Sequence, residues 1–481
     1  MTQSKLDGSG PTLKDYAPPV PLATPAELEH SLLSPAKSYV YSKSDINLNY
    51  YFTLAVPEEY NMGFIGRAFV MENNKMEPNF KVALSVEAIE GKFSCSLEVF
   101  LGDVRVWNSG HYSRFYVSNK CVLELTGDGD LRLKGPKERV GWRTGTSGQG
   151  VQRLQILKTG NLVLVDALNR IKWQSFNFPT DVMLWGQKLN VATRLTSFPT
   201  NSTSFYSLQI ENNRIAVYLN IGKLNYSYWE FKASKNRNIT FIELGSKGLM
   251  LFNDKHKKIA QIPSHVFQPL RFLALGNRTG NLGLYFYSPS KAQFEASFQA
   301  LNTTCDLPLA CKPYGICTFS NACSCIREDG VGSNCDGGFP RGFCGGEGNG
   351  VEMLELKDVS SVLRVAPKRV NVSKEECEKL CLDDCRCASA AFSSGAKDSQ
   401  VCFLYEFVGG LKQVDRRSGM SYMVKVPKGT HGVHEKSNVK KWVLILVGIV
   451  DGFIILLVLG GLGYYLVRKR KRNLLDNGND T

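Results

Sequence analysis

Twelve of the fourteen cysteines in this 481-residue chain fall between positions 305 and 402, and no other feature restricts its fold as sharply. They are Cys305, Cys311, Cys317, Cys323, Cys325, Cys335, Cys344, Cys377, Cys381, Cys385, Cys387 and Cys402; Cys95 and Cys121 stand apart. A density of about one in eight reads as a disulfide framework, which persists only in an oxidising compartment. Zinc is the rival use of clustered thiols. The segment has neither a C-x2-C pair nor a histidine, so no metal site is expected.

One run, Trp442 to Val467, is long and apolar enough to span a bilayer, about 39 Å as a helix. Trp442 stands at one end and Tyr464 and Tyr465 at the other, where amphipathic rings favour the interface. The basic run Arg468 to Arg472 follows directly. This charge bias predicts a single-pass type I protein of the plasma membrane, with its N-terminal region extracellular and the tail 468–481 cytosolic. Asn201, Asn225, Asn238, Asn277, Asn302 and Asn371 each open an Asn-x-Ser/Thr sequon, and all precede the span. N-glycosylation is expected at each. Residues 1–55 are Pro-rich and show no apolar signal region, so an incomplete N-terminus or an unusual export route is expected. Within the span, Asp451 lies near the apolar centre, where an ionisable group usually faces a partner. Gly448 and Gly452 bracket it at small-x3-small spacing, which permits close approach of a second helix. Self-association or pairing with a basic partner span is one expectation, and a protonated, tolerated Asp the other.

Hydrophobic residues make up 43% and charged residues 21%, the balance of a folding chain. Lys and Arg number 58 against 44 Asp and Glu, a net charge of +14. Such a surface attracts acidic polysaccharide, anionic lipid or nucleic acid. No basic helix, finger or aromatic RNA-binding signature accompanies it, so no nucleic-acid partner is expected.

From about residue 56 the chain alternates apolar and polar residues between Gly, Asn and Asp turns, the pattern of short β-strands. Inside it, Leu123-x-Leu125 … Gly129-Asp130-Leu131-Arg132-Leu133 … Trp142 recurs 31 residues later. The copy is Leu154-x-Ile156 … Gly160-Asn161-Leu162-Val163-Leu164 … Trp173, with 13 residues from Gly to Trp in both. A looser unit ends at Trp107. Three hairpin-like units, each unable to bury its own face, are expected to share one core through Trp107, Trp142 and Trp173.

These phrases, with Trp173-Gln174-Ser175-Phe176-Asn177-Phe178-Pro179-Thr180-Asp181, resemble the bulb-type lectin domain of plant S-domain receptors. The resemblance implies a mostly β fold: a bulb-lectin β-prism over 56–190, then a second β-rich, S-locus-glycoprotein-like region over 191–304. The six cysteines from Cys305 to Cys335, with Pro313-Tyr314-Gly315 between them, look like an EGF-like module over 305–343. The run Cys377-x3-Cys381-x3-Cys385-x-Cys387, with Cys402 beyond and Cys344 as sixth cysteine, resembles a PAN/apple module over 344–427. Three of its thiols stand at helical spacing. Six cysteines allow 15 pairings, so none is assigned, and Cys95 and Cys121 remain as a pair by subtraction. A linker, 428–441, leads to the transmembrane helix.

The resemblance also implies a sugar site, Gln-x-Asp-x-Asn-x-Val-x-Tyr, in which the polar residues bond sugar hydroxyls and Val packs on the ring. At these places the first copy has Thr126, Asp128, Asp130, Arg132 and Lys134, and the second Leu157, Thr159, Asn161, Val163 and Val165. Only Asp128 in one copy, and Asn161 with Val163 in the other, keep the pattern; Asp130 replaces Asn in the first. A pocket missing most of its polar partners loses orientation and affinity. No catalytic residue is expected. Fourteen residues follow Val467, with no kinase signature; Gly145 to Gly150 fails the Gly-x-Ser-x-Gly elbow; Gly345 to Gly350 follows a cysteine module and reads as a linker. His256, His431 and His434 lack partners at ligand spacing and read as solvated. No cofactor is expected. The chain reads as a kinase-less, non-enzymatic receptor-like glycoprotein that binds a protein ligand or a partner receptor kinase as a homo- or hetero-oligomer. Two rivals are a membrane-anchored lectin that reads carbohydrate through a site of another kind, and a wall–membrane tether that holds acidic polysaccharide.

Overall fold

The computed structural model describes residues 44–58, 63–198, 204–233, 237–326, 335, 350–364, 368–394, 400–415, 420–428, 452 and 455–470. Asn201, Cys344, His431, His434, Gly448 and Asp451 lie outside them.

The first strands are β1 Asp45–Asn47, β2 Tyr50–Ala55, β3 Ile65–Asn73, β4 Phe80–Ile89, β5 Lys92–Leu101, β6 Val104–Asn108 and β7 Phe115–Val117. Then come β8 Lys120–Leu125, β9 Leu131–Lys134, β10 Val140–Arg143, β11 Val151–Ile156, β12 Leu162–Asp166 and β13 Ile171–Gln174. They form three sheets, ordered β1-β11-β12-β13, β10-β9-β8-β2 and β3-β4-β5-β6, with β7 on β5. Alternation decides what each turns inward: Leu123, Leu125, Leu131, Leu133, Leu154 and Leu164 are each fully buried in one shared core. Where the sheets converge, Trp107, Trp142 and Trp173 meet edge to face, with ring centroids 6.2, 5.9 and 5.8 Å apart. Cys95–Cys121 bridges β5 to β8. The turns into β9 and β12 need glycine: Gly129 and Gly160 have φ of +89° and +81°, and a Cβ on Gly160 would lie 2.3 Å from the Phe80 ring.

Strand structure starts earlier than the sequence pattern suggests. Residues 45–55, expected in the Pro-rich segment, are β1 and β2, which complete two of the sheets by pairing with β11 and β8. Both are short and bury little by themselves, so their pairing depends on partners about 110 residues away for β1 and about 70 for β2.

The next strands are β14 Val182–Leu184, β15 Lys188–Asn190, β16 Leu195–Thr196, β17 Ser204–Glu211, β18 Arg214–Ile221 and β19 Leu224–Lys232. β20 Phe241–Gly245, β21 Gly248–Phe252, β22 Lys258–Pro263, β23 Leu270–Leu275, β24 Leu282–Ser288 and β25 Gln293–Gln299 follow. These too make three four-stranded sheets, β14-β23-β24-β25, β15-β20-β21-β22 and β16-β17-β18-β19, although no repeat is visible in their sequence. Residues of β14, β23, β24 and β25 join the first core, so the two prisms pack directly together.

The cysteine-rich part holds β26 Gly315–Cys317, β27 Cys323–Cys325, β28 Val351–Leu356, β29 Val359–Ser361 and β30 Lys368–Val370. After α1 Lys374–Asp383 come β31 Ser389–Ser394, β32 Gln400–Tyr405, β33 Leu411–Gln413 and β34 Met420–Pro427. The disulfides are Cys305–Cys317, Cys311–Cys323, Cys325–Cys335, Cys377–Cys402 and Cys381–Cys387; Cys385 is also disulfide-bonded. Expected as two modules, the two cysteine segments share a sheet, β27-β26-β33-β29. Only Cys377 and Cys381 sit on the helix: Asp384 turns extended and ends it before Cys385. Ser373 and Glu376 cap its start reciprocally. At its end the buried Lys425 donates to the Leu382 and Asp384 carbonyls at 3.2 and 3.0 Å.

Residues 455–470 are helical and exposed. Among the described residues no helix is long and apolar enough to cross a membrane, and the expected span 442–467 lies partly outside them.

The tryptophan triad predicts its own test. Trp173→Ala is expected to destabilise the first prism by about 3–5 kcal/mol, read as a lowered thermal midpoint with the Cys305–Cys402 segment still disulfide-bonded.

Candidate functional site

Each tryptophan is followed two residues later by a hydroxyl that accepts a hydrogen bond from the backbone N–H of a β-strand leucine. Ser109 takes Leu97 at 2.9 Å, Thr144 takes Leu131 at 3.1 Å and Ser175 takes Leu162 at 3.0 Å. The three bonds put three sheet faces in register, and so locate the sugar-site positions on each.

On the first face, Asp130 is buried and fully engaged. It accepts Arg132 Nε at 2.9 Å, Thr144 Oγ1 at 3.0 Å and the amides of Gly145 and Thr146 at 2.8 and 3.2 Å. Burial would raise the Asp130 pKa, but these donors outweigh it and hold the carboxyl below its ordinary range. Asp128 is exposed and accepts the Thr126 and Ser147 hydroxyls, which lower its pKa. On the second face, Asn161 donates to Gln174 at 2.8 Å and accepts Ser175 Oγ and the Phe176 amide, each at 3.2 Å. Val163 is fully buried, with no surface to offer a ring. On the third face, which sequence reasoning missed, the corresponding Val place holds Glu98. This buried carboxylate accepts Arg105 at 3.0 Å, Arg67 at 3.4 Å, Asn108 at 2.9 Å and the Ser85 hydroxyl. The signal was present as Trp107-x-Ser109, hidden because Leu97 to Trp107 is one residue shorter than its counterparts. Asp128 and Asp130 on the first face, Asn161 on the second and Glu98 on the third are thus already bonded within the chain.

Two joints hold the surface together. Between the prisms, His111 Nε2 lies 2.9 Å from Thr196 Oγ1, and its ring packs on Phe198. Trp107 Nε1 donates to the Phe178 carbonyl at 2.9 Å. Asn277 accepts the Phe198 amide at 2.6 Å and donates to Asp181 at 3.1 Å. Burial pushes the His111 imidazole below its ordinary pKa, against the pull of Asp181 and with the help of Arg105. Between the second prism and the cysteine-rich sheets, the buried Tyr226 ring stacks on Tyr405 at 6.0 Å and meets Phe407 edge-on at 4.8 Å. Its hydroxyl accepts the Glu406 amide at 3.2 Å. An open cavity of about 470 Å³ lies beside this joint, lined by Ile221, Leu224, Tyr226, Arg386, Glu406 and Phe407. Among the described residues no cluster of His, Cys, Asp and Glu could hold a metal ion.

Of the sequons, Asn225, Asn238, Asn302 and Asn371 are exposed. Asn277 is buried and serves as the clamp just described.

The profile of the D-mannose binding lectin family matches residues 106–205, and that of the PAN domain residues 354–425. The chain carries a bulb-type lectin domain followed by a PAN domain. Its relatives are plant S-domain proteins. A PAN domain-containing protein of Arabidopsis thaliana is 25% identical over 380 residues, 73% of each chain. A G-type lectin S-receptor-like serine/threonine-protein kinase of the same plant is 23% identical over 326 residues, 64% of this chain. The chain spans only 38% of that kinase's length. EP1-like glycoprotein 1, also from Arabidopsis thaliana, is 26% identical over 360 residues, covering 64% of this chain and 77% of its own. A monomeric mannose-binding lectin of Gastrodia elata aligns with 28% of this chain and 96% of its own, at 20% identity and a TM-score of 0.18.

Glycopeptide mass spectrometry of the folded protein is expected to find glycans at Asn225, Asn238, Asn302 and Asn371 but an unmodified Asn277. The His111 shift has a definite sign. The folded state favours neutral imidazole, so the unfolded state binds more protons as pH falls below about 6.5, and stability is lost on acidification. His111→Gln, which keeps a hydrogen-bonding partner for Thr196, is expected to lose less of its thermal midpoint than wild type between about pH 7 and about pH 5.

Proposed function

We propose that this chain is a receptor-like glycoprotein of the plant cell surface, with its lectin-type and PAN domains extracellular, binding a protein ligand or a partner receptor. It acts without catalysis of its own, by bringing its binding surface to a partner receptor kinase. The observation that carries this reading is the joint at Tyr226, where Tyr405 and Phe407 fix the PAN domain against the second prism as one composite face. In the first prism Asp130 and Asn161, which stand at sugar-site places, are bonded internally. A face fixed in this way presents side chains from two domains in constant geometry, which lowers the ordering cost of binding a protein partner. The membrane span and oligomeric assembly belong to this proposal, as do the roles of Gly448, Asp451 and Gly452 in associating spans.

The test uses the purified full-length chain. Mannosides and other neutral glycans are expected to show no saturable binding. Cross-linking at the plant cell surface is expected to capture an S-domain receptor kinase or a second copy of the chain. Tyr226→Ala, which opens the joint, is expected to lower that capture while leaving expression of the first prism intact. Saturable binding of one neutral sugar class, with no captured receptor, would reverse the conclusion in favour of a membrane lectin.

A further inference from the structure

One sheet of the second prism turns its side chains to solvent in an arrangement that neither joint uses. Strands β15, β20, β21 and β22 bury Leu189, Ile242, Leu244, Leu249, Leu251 and Ile262, so the alternate residues point outward. Asn190, Phe241, Phe252 and Lys258 stand in register across the four strands, beside a second row of Lys188, Glu243, Met250 and Gln261. The rings of Phe241 and Phe252 stack 4.8 Å apart and 7° from parallel. The Lys188 ammonium lies 5.3 Å from the Phe241 centroid, and His256 packs on the same ring at 5.3 Å. The loop that joins β21 to β22, Asp254-Lys255-His256-Lys257, is basic and exposed and runs into the exposed Lys258 that opens β22. Glu243 answers Lys188 at 3.4 Å, and Asp254 accepts the Lys255 backbone amide at 3.0 Å. Lys255 and Lys257 have no carboxylate at ion-pair distance among the described residues.

We propose that this face binds an acidic polysaccharide, laid across the strands on the Phe241–Phe252 ridge with its charges met by Lys188, Lys255, Lys257 and Lys258. The distribution of the cations selects the ligand class. Lys188 and Lys258 rise from strands three steps apart, about 14 Å at the usual strand spacing, and the loop adds further ammoniums at one end. Charge set out along a line suits a ligand that repeats its own charge along its length, whereas a single carboxylate calls for converging donors. The ring ridge supplies an apolar surface for the C–H faces of sugar rings; Gln261 is held by Lys258 and the Lys247 carbonyl, each at 3.0 Å, and helps to place the Lys258 ammonium at the edge of the ridge. This site is independent of the receptor reading, and either can fail without the other.

The experiment measures binding of the full-length glycoprotein to oligogalacturonate of about ten residues, with neutral dextran, poly-glutamate and anionic phospholipid vesicles as comparators. Saturable binding to oligogalacturonate alone is expected, weakening about tenfold or more between about 50 and about 300 mM salt. The triple variant Lys255→Gln, Lys257→Gln, Lys258→Gln changes only exposed side chains of the loop and of the first residue of β22 and should fold; a loss of about tenfold or more is expected. Phe252→Leu keeps an apolar side chain but removes the ring, and is expected to weaken binding about threefold with the same salt dependence. Asn238 carries a sequon three residues before Phe241, so N-glycans are also removed enzymatically, and binding should persist. Equal binding to poly-glutamate or vesicles, no effect of the triple variant, or loss of binding on glycan removal would each overturn the proposal.

Discussion

Three indole rings occupy the line on which three sheets converge, and most of the first prism's architecture follows from seating them. Each edge-to-face pair contributes about 0.5–1.5 kcal/mol beyond the area it buries. The rings also set the register. The hydroxyl two residues beyond each tryptophan receives the amide of a leucine on the neighbouring strand, so every sheet is indexed to the same axis. The same indexing brings Asp130, Asn161 and Ser96, the last inside strand β5, to equivalent places, and there the chain diverges from a sugar-binding design. Asp130 gathers two backbone amides and a guanidinium, and Asn161 gathers a backbone amide and a hydroxyl. A side chain that satisfies buried donors in this way has little left to offer a ligand, because breaking those bonds would strand the groups it now serves.

The joints extend this reasoning beyond one prism. Asn277 shows it most simply: the local sequence reads as a modification site, but its amide links Asp181 to Phe198, whose ring packs on His111 of the first prism. The two cysteine-rich segments, each cross-linked by disulfides of its own, are coupled by backbone, since Ile316 of β26 pairs with Leu411 of β33. Tyr226 then carries the second prism onto that unit through Tyr405 and Phe407. The second prism and the PAN part therefore meet through ring contacts, and the two cysteine-rich segments through a shared sheet.

How far this was legible varies with the length of the signal. The Gly129 and Gly160 phrases, with Trp142 and Trp173, are close in sequence and identical in spacing, and they announce the shared core. The Trp107 unit is one residue shorter before its tryptophan, which was enough to hide Ser109, and with it the buried Glu98 on the third face. The second prism repeats the threefold plan of sheets without a repeating phrase, because alternation of Leu, Ile and Val satisfies a buried face in many ways. Strands β1 and β2 were missed for a related reason: a short strand acquires its identity from its partners, here β11 and β8.

The amino-acid sequence by itself determined the alternation that makes strands, the glycine turns, the tryptophan spacing and the oxidising, cysteine-rich segment, because each is a local pattern that acts over a few residues. It also carried the family's order of domains. Tertiary structure alone decided which cysteines pair between Cys305 and Cys402, where α1 stops relative to Cys385, and that Asn277 is a clamp; the Cys95–Cys121 pair was already left by subtraction. It alone lined up Lys188, Phe241, Phe252 and Lys258 across four strands. These depend on distances between residues far apart in the chain, and such distances exist only once the sheets have closed on their cores.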